Sequence, residues 1–212
     1  AQESPFPIHG INVPARTVSG DFYDFFEISD GRICFSLGDV SGKGMNAALL
    51  MAKTASLFRA LGKTSPEPGL LLSRINAEIC ETAARGMFVT MVAGVYNPKT
   101  GDLLIANAGH EPPLIHRGGD QYDGLAADSP PLGIVPPIDD EPFPEISLNI
   151  DGGILYIFSD GVTEGYGKDG EPLEVEGLKA LLSQSGGKPM QSRLESVVSY
   201  LQDVETPLRD DI

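Results

Sequence analysis

Six carboxylates hold the chemistry this chain could perform. Asp39 closes one apolar run and is followed by the glycine-broken turn Val40-Ser41-Gly42-Lys43-Gly44. Asp160 closes another, Ile154-Leu155-Tyr156-Ile157-Phe158-Ser159, and is followed by Gly161. Asp21 and Asp24 flank the start of an earlier run, and Asp210-Asp211 stand just before Ile212. Carboxylate oxygens are hard ligands that suit Mg²⁺ or Mn²⁺, ions that keep several waters and take only one or two carboxylates each. A pair of such ions bridged by one Asp would hold a water, lower its pKa and direct it at phosphorus. The cations would also offset the charge of a phosphorylated substrate.

Taken singly, an Asp before Gly at a strand end is more often a turn residue than a ligand. The set reads differently, because two apolar strands that both end in an acid place charge where a fold ordinarily avoids it. Glu164, Asp151 and Asp169 have no such context and read as solvated. The Gly38–Gly44 segment is no phosphate-cradling P-loop, since Leu37 stands six residues before Lys43 where that motif needs glycine, and Gly44 follows the lysine. His110, in the turn Asn107-Ala108-Gly109-His110-Glu111-Pro112-Pro113, is open to two readings, an acid or substrate contact and a structural turn. Neither His9 nor His116 has a partner in the sequence that suggests catalysis.

The elements that must position these acids are strands and helices in mixture. Asp21–Ile28 and Arg32–Leu37 read as strands joined by the polar turn Ser29-Asp30-Gly31, a hairpin. Met45–Leu61 reads as a helix with Leu49, Ala52, Phe58 and Leu61 near helical spacing. Pro66 and Pro68 punctuate the chain before a second helix over Leu70–Ala83, with Leu71, Leu72, Ile75 and Ile79 on one face. Met87–Tyr96 is a strand that ends at the turn Asn97–Asp102, and Leu103–Ala106 pairs back. Leu114–His116 and Ile154–Ser159 add strands, while Leu178–Gln184 and Leu194–Val204 read as surface helices. This order predicts an α+β domain, two sheets packed face to face with helices outside.

With 212 residues and 41% hydrophobic content, the chain buries a full core and reads as a single domain over residues 1–212. The proline-rich stretch Ser129–Pro144 carries Leu132, Ile134, Val135, Ile138 and Phe143, the pattern of a packed surface loop and not of a linker. Fifteen basic against thirty acidic residues leave a net charge of −15, which argues against nucleic acid as a partner, because phosphate backbones need clustered Lys and Arg. Cys34 and Cys80 sit inside apolar patterns and read as packed thiols of a reducing compartment. No apolar run approaches the roughly 20 residues of a membrane span, and no basic-then-apolar signal opens the chain, so the expectation is no membrane and a cytoplasmic location. The absence of an initial Met suggests a domain excised from a longer regulatory protein, with an upstream sensory region.

Six segments, in order, resemble the SpoIIE-type serine/threonine phosphatases, the bacterial branch of the metal-dependent type 2C (PPM) family. They are Ser19-Gly20-Asp21-Phe22-Tyr23-Asp24, Gly38–Gly44 with Ala47-Ala48-Leu49, Asn107–His110 with Pro112-Pro113-Leu114, Leu132-Gly133-Ile134, Ser159–Glu164, and Arg209-Asp210-Asp211-Ile212. The resemblance runs from about Ile11 to Ile212 and implies a central sandwich of two antiparallel β-sheets flanked by α-helices, with two Mn²⁺ or Mg²⁺ ions at one end. Carried over by motif position, Asp39 bridges both metals, Asp160 and Asp210 complete one ion, and Asp21 with the Val40 carbonyl holds the other. Asp39 and Asp160 are thus the catalytic pair. Asp24 is a further candidate, and the adjacent acids leave Asp210 and Asp211 as alternatives for one ligand.

Ser19 stands where the family commonly has glycine, and Ser41 lies in the region where eukaryotic relatives place a histidine after the bridging Asp. The family also continues past this motif into a closing strand that the chain, ending at Ile212, does not include. The resemblance implies hydrolysis of phosphoserine or phosphothreonine on a regulatory protein, typically a STAS-type anti-sigma-factor antagonist. The competing expectation is a catalytically weak or inactive module that keeps the fold to bind a signalling partner.

Overall fold

The computed structural model describes residues 7–15, 19–82, 86–126, 129–136, 141–150, 152–167, 170–202, 208 and 210–212. Among these, eight strands and five helices follow one another. They are β1 (Phe22–Glu27), β2 (Ile33–Val40), α1 (Met45–Gly62), α2 (Pro68–Thr82), β3 (Val89–Tyr96), β4 (Asp102–Ala108), β5 (Leu114–Gly118), β6 (Gln121–Gly124), β7 (Glu145–Asn149), β8 (Ile154–Tyr156), α3 (Asp160–Thr163), α4 (Glu174–Gln184) and α5 (Met190–Gln202). One antiparallel sheet has the order β1-β2-β3-β4-β7, and a smaller antiparallel sheet the order β6-β5-β8.

The alternation of side chains along each strand sorts the core into layers. On β2 and β3, Cys34, Val40, Met91, Ala93 and Val95 point toward α1 and α2, where Phe58, Leu71, Leu72, Ile75 and Ile79 are fully buried against them. The opposite parity, Phe35 and Val92, joins Leu103, Ile105 and Ile115 between the two sheets. Leu114 and Tyr156 turn the outer face of the smaller sheet toward Val162, Leu178, Leu182, Val197 and Leu201 of the late helices. The order helix, sheet, sheet, helix is the expected α+β sandwich. Truncating any one of the fully buried Leu or Ile residues to Ala would cost about 2–5 kcal/mol.

Several expected boundaries shift for physical reasons. β2 extends beyond Leu37 through Val40 because β3 pairs with it along its whole length, Asp39 opposite Thr90 and Val40 opposite Val89, so Asp39 sits within the ladder and not after it. Pro68 opens α2 instead of punctuating before it, since the first helical position needs no N–H partner. β8 is shorter than expected because its partner β5 starts at Leu114, opposite Tyr156, so the ladder ends there and Asp160 begins the short α3. In α1 the buried stripe is Ala47, Leu50, Thr54, Phe58 and Gly62, while Leu49 is 62% exposed. The polar edge strands β6 and β7 were not expected. The ends predicted at Ala83 and Val204 lie outside the described residues.

The proline-rich stretch packs as a loop where it is described. Leu132 is fully buried and pairs with Val89 in both directions. The Gly133 N–H donates to Asn76 Oδ1 and the Phe143 N–H to the Gly69 carbonyl. Ile134 and Val135 remain about half exposed, and Ile138 is outside the described residues. Cys34 is buried in the core, which pushes its thiol up to about 12, and both cysteines are free thiols. No described helix is long and apolar enough to cross a membrane.

Candidate metal centre

Antiparallel pairing delivers the first acids. Asp39 shares the face of β2 that carries Phe35, turned toward the second sheet, and Asp21 immediately precedes β1, whose first residue Phe22 pairs with Gly38. Gly38 has no room for a side chain, because a Cβ there would stand 2.8 Å from the Phe22 ring and 2.9 Å from the Thr90 carbonyl. The β1 and β2 backbones thereby bring the Asp21 and Asp39 carboxyl groups close enough for each to shift the other's protonation.

The second corner closes on the first through the end of the chain. Val13 and Ile212 exchange N–H···O bonds of 2.6 and 3.1 Å, so residues 210–212 lie beside the segment leading into β1. A Cβ on Gly161 would overlap the carbonyl oxygen of Asp211. The Asp160-Gly161 pair is therefore a close backbone approach that brings Asp160 to Asp210, which explains the glycine better than turn conformation does.

Burial and neighbouring charge act on Asp21, Asp39 and Asp160. Burial above all, reinforced by the nearby Asp39 and Asp211 charges, pushes Asp21 up to about 8, although a Ser159 hydroxyl hydrogen bond favours its ionised form. Asp39 is raised by burial and by the charges of Asp210 and Asp211, against a hydrogen bond from Asp21. Asp160 is raised to about 6, first by burial and then by Asp39, Asp210 and Glu164. Such a cluster lacks positive charge. The nearest described cation is Lys43, whose Nζ stands 4.0 Å from Asp210 Oδ2 with both side chains about half exposed.

The donor set fits divalent cations. Gly20 leaves open a hollow lined by oxygen: a Cβ there would lie 3.2 Å from Asp39 Oδ1 and 3.3 Å from the Val40 carbonyl oxygen. Among the described residues no three His, Cys, Asp or Glu side chains form a ready-made cage. Mg²⁺-type sites do not require one, since each ion takes one or two carboxylates and fills its shell with water.

Two of the sequence candidates have other partners. Asp24 faces α1, where Arg59 Nε donates to its Oδ2 at 2.6 Å and Arg59 Nη2 to its Oδ1, while the guanidinium sits 5.2 Å from the Phe26 ring centre. Asp211 accepts the Ala15 N–H at 2.7 Å and the Gly20 N–H at 2.6 Å, one on each oxygen. Asp210 is half exposed; its Oδ1 accepts the Asp211 N–H at 3.1 Å and its Oδ2 stands 4.0 Å from Lys43 Nζ. Ser159, Thr90 and the Asn12 side chain, which donates to the Asp21 carbonyl at 2.8 Å, support the site without any motif of their own. His110 is 4% exposed, so it lies beneath the centre and not at its surface. His116 stacks on Tyr122 and faces the Gly119 carbonyl.

Comparison with known proteins identifies the family and the fold. The family model described as stage II sporulation protein E (SpoIIE) matches residues 29–212. The chain is 33% identical to the phosphoserine phosphatase RsbU of Bacillus subtilis over 215 aligned residues, covering 99% of this chain and 62% of that protein. It therefore spans less than two thirds of that relative. Among solved structures, the SiaA PP2C domain of Pseudomonas aeruginosa superposes with a TM-score of 0.81 at 19% identity, covering 95% of this chain and 82% of that one. The PP2C domain with a regulatory fragment of SpoIIE from Bacillus subtilis gives 0.77 at 20% identity, covering 94% and 59%. With the sandwich, the ordered motifs and the family match all in accord, the chain belongs to the SpoIIE-type branch of the PPM phosphatases.

Proposed function

We propose that this domain hydrolyses phosphoserine or phosphothreonine on a cytoplasmic regulatory protein, a STAS-type anti-sigma-factor antagonist being the expected substrate. The reading is supported by the Asp39 Oδ1 and Val40 carbonyl oxygens that face Gly20, and by Asp21, Asp39 and Asp160, each raised above its ordinary range by burial and by neighbouring carboxylates. A binding module has no use for such an arrangement, which destabilises the fold unless cations fill it.

In this reading Asp39 with Asp160 and Asp210 would hold one Mn²⁺ or Mg²⁺ ion, and Asp39 with Asp21 and the Val40 carbonyl a second; the ions would supply Lewis acidity and lower the pKa of water for hydrolysis at phosphorus. The protein's own part is to hold the acids apart at fixed positions. Asp211 pins residues 15 and 20 beside Asp210, and Gly42 and Gly44, both at positive φ, shape the turn that carries Lys43 to within 4.0 Å of Asp210.

α1 follows the Asp39 corner directly, and the Arg59–Asp24 pair ties it to β1. Movement of α1 and α2 would therefore reach the Asp39 and Asp21 strands together, which makes the helix pair the natural point of control. Phosphate release from phosphorylated STAS proteins, measured with and without Mn²⁺ in wild type and Asp39→Asn, tests the reading. Absence of Mn²⁺-dependent release in the wild type would leave only the partner-binding module.

A further inference from the structure

We propose that His110 is a positioning residue of the metal centre, a buried imidazole that holds Thr90, the residue directly opposite Asp39 in the ladder, and so fixes the surroundings of that carboxylate. The inference rests on the two-metal reading above.

His110 follows β4 in a turn closed by Asn107, whose Oδ1 accepts the His110 N–H at 2.8 Å and whose Nδ2 donates to the His110 carbonyl at 3.1 Å. Gly109, at φ 66°, packs against Pro131 so closely that a Cβ would lie 2.7 Å from its ring. The imidazole is thus fixed from its own backbone. Its Nδ1 lies 2.8 Å from Thr90 Oγ1. Thr90 is directly opposite Asp39 in the ladder, so the two side chains stand on the same face, where opposed residues have Cβ atoms about 4.5–5.5 Å apart.

The other ring nitrogen, Nε2, is fully buried and completes no hydrogen bond among the described residues. With Nδ1 as acceptor and Thr90 as donor, the single Thr90 proton is committed to His110 and none is offered to Asp39. Burial pushes the ring down to about 4, so the imidazole stays uncharged and adds no repulsion toward bound metals. A buried polar atom without a partner is costly, and holding Thr90 beside Asp39 is the use that the geometry gives this imidazole.

The test titrates Mn²⁺ by calorimetry into metal-free wild type, His110→Leu, His110→Asn, Thr90→Val and the double variant, alongside thermal melts without metal. His110→Leu and Thr90→Val are each expected to weaken Mn²⁺ binding about 10–100-fold with metal-free melting unchanged or raised, as loss of a residue that orients ligands does. His110→Asn, whose Oδ1 can replace Nδ1, recovers much of the loss, and the double variant is no weaker than the more affected single one. Wild-type affinity in His110→Leu or Thr90→Val, or losses that add, overturns the assignment. Should His110→Leu fail to fold, Thr90→Val decides by itself, because it leaves the imidazole in place. A wild type that binds no Mn²⁺ overturns the two-metal reading and this inference together, whereas wild-type binding that neither substitution alters overturns the inference alone.

Discussion

The Asp211 carboxylate accepts the main-chain N–H of Gly20 at 2.6 Å across 191 positions of the chain, so the residue beside the candidate ligand Asp210 is a clasp for the fold. Its other oxygen holds the Ala15 N–H. Asp211→Ala leaves both donors without this acceptor and is expected to cost about 2 kcal/mol or more in urea unfolding of the metal-free protein. Asp210→Ala, at a half-exposed position, should change that stability little and weaken Mn²⁺ binding at least about tenfold by calorimetry. The opposite pairing of effects would assign the ligand to Asp211.

The raised acids set the sign of the pH dependence. Asp21 binds its proton up to about 8 and Asp160 up to about 6 when folded, against 3.8 for either in the unfolded chain. Between these limits the folded state binds more protons, so the metal-free protein loses stability as pH rises from about 4 to about 8. Thermal melts across that range should show the fall, Asp21→Asn should flatten its upper part, and Mn²⁺ should raise the melting temperature more at pH 8 than at pH 6. A metal-free protein that gains stability over this range would contradict the burial of these carboxyls.

The Arg59–Asp24 pair is expected to hold α1 and not a metal. Arg59→Ala and Asp24→Asn should each lower stability by roughly 1 kcal/mol, counting the ion pair and the contact over Phe26, with a double variant little worse than either. Unchanged Mn²⁺ affinity in Asp24→Asn accompanies this. Loss of affinity without loss of stability would return Asp24 to the ligand set.

Gly161→Ala forces apart the Asp160 and Asp210 corners. Overpacking of this kind costs about 1–3 kcal/mol, and here the strain acts on the backbone between two candidate ligands. The expected outcome is a folded protein of lowered melting temperature that binds Mn²⁺ more weakly than Gly187→Ala, a control where a Cβ would meet nothing within 4 Å.

Much of this was legible in the sequence because apolar periodicity reports burial. β1, β3, β4 and α2 announce themselves through residues such as Val92, Ile105, Leu72 and Ile75, all of them buried. β7 did not, since Glu145, Ile146 and Ser147 are exposed on an edge strand where alternation has no core to report. Leu49 misled for the reverse reason, as an apolar residue at helical spacing on the solvent side of α1. As candidates, Asp39 and Asp160 stand out by closing apolar runs, and Asp21 and Asp210 by the order of motifs. The role of Asp211 could not, because it depends on Gly20 and Ala15 being brought to it by the fold. Nor could the burial of His110, whose side-chain partner Thr90 comes from the neighbouring strand β3.

The most direct measurement follows phosphate release from a phosphoserine-bearing STAS protein as Mn²⁺ is titrated, in wild type and in Asp39→Asn shown by circular dichroism to be folded. The account predicts Mn²⁺-dependent release by the wild type and a loss of about a thousandfold in the variant, the equivalent of several kcal/mol of metal-derived stabilisation. Release that is independent of Mn²⁺, or equal in the two proteins, would contradict it.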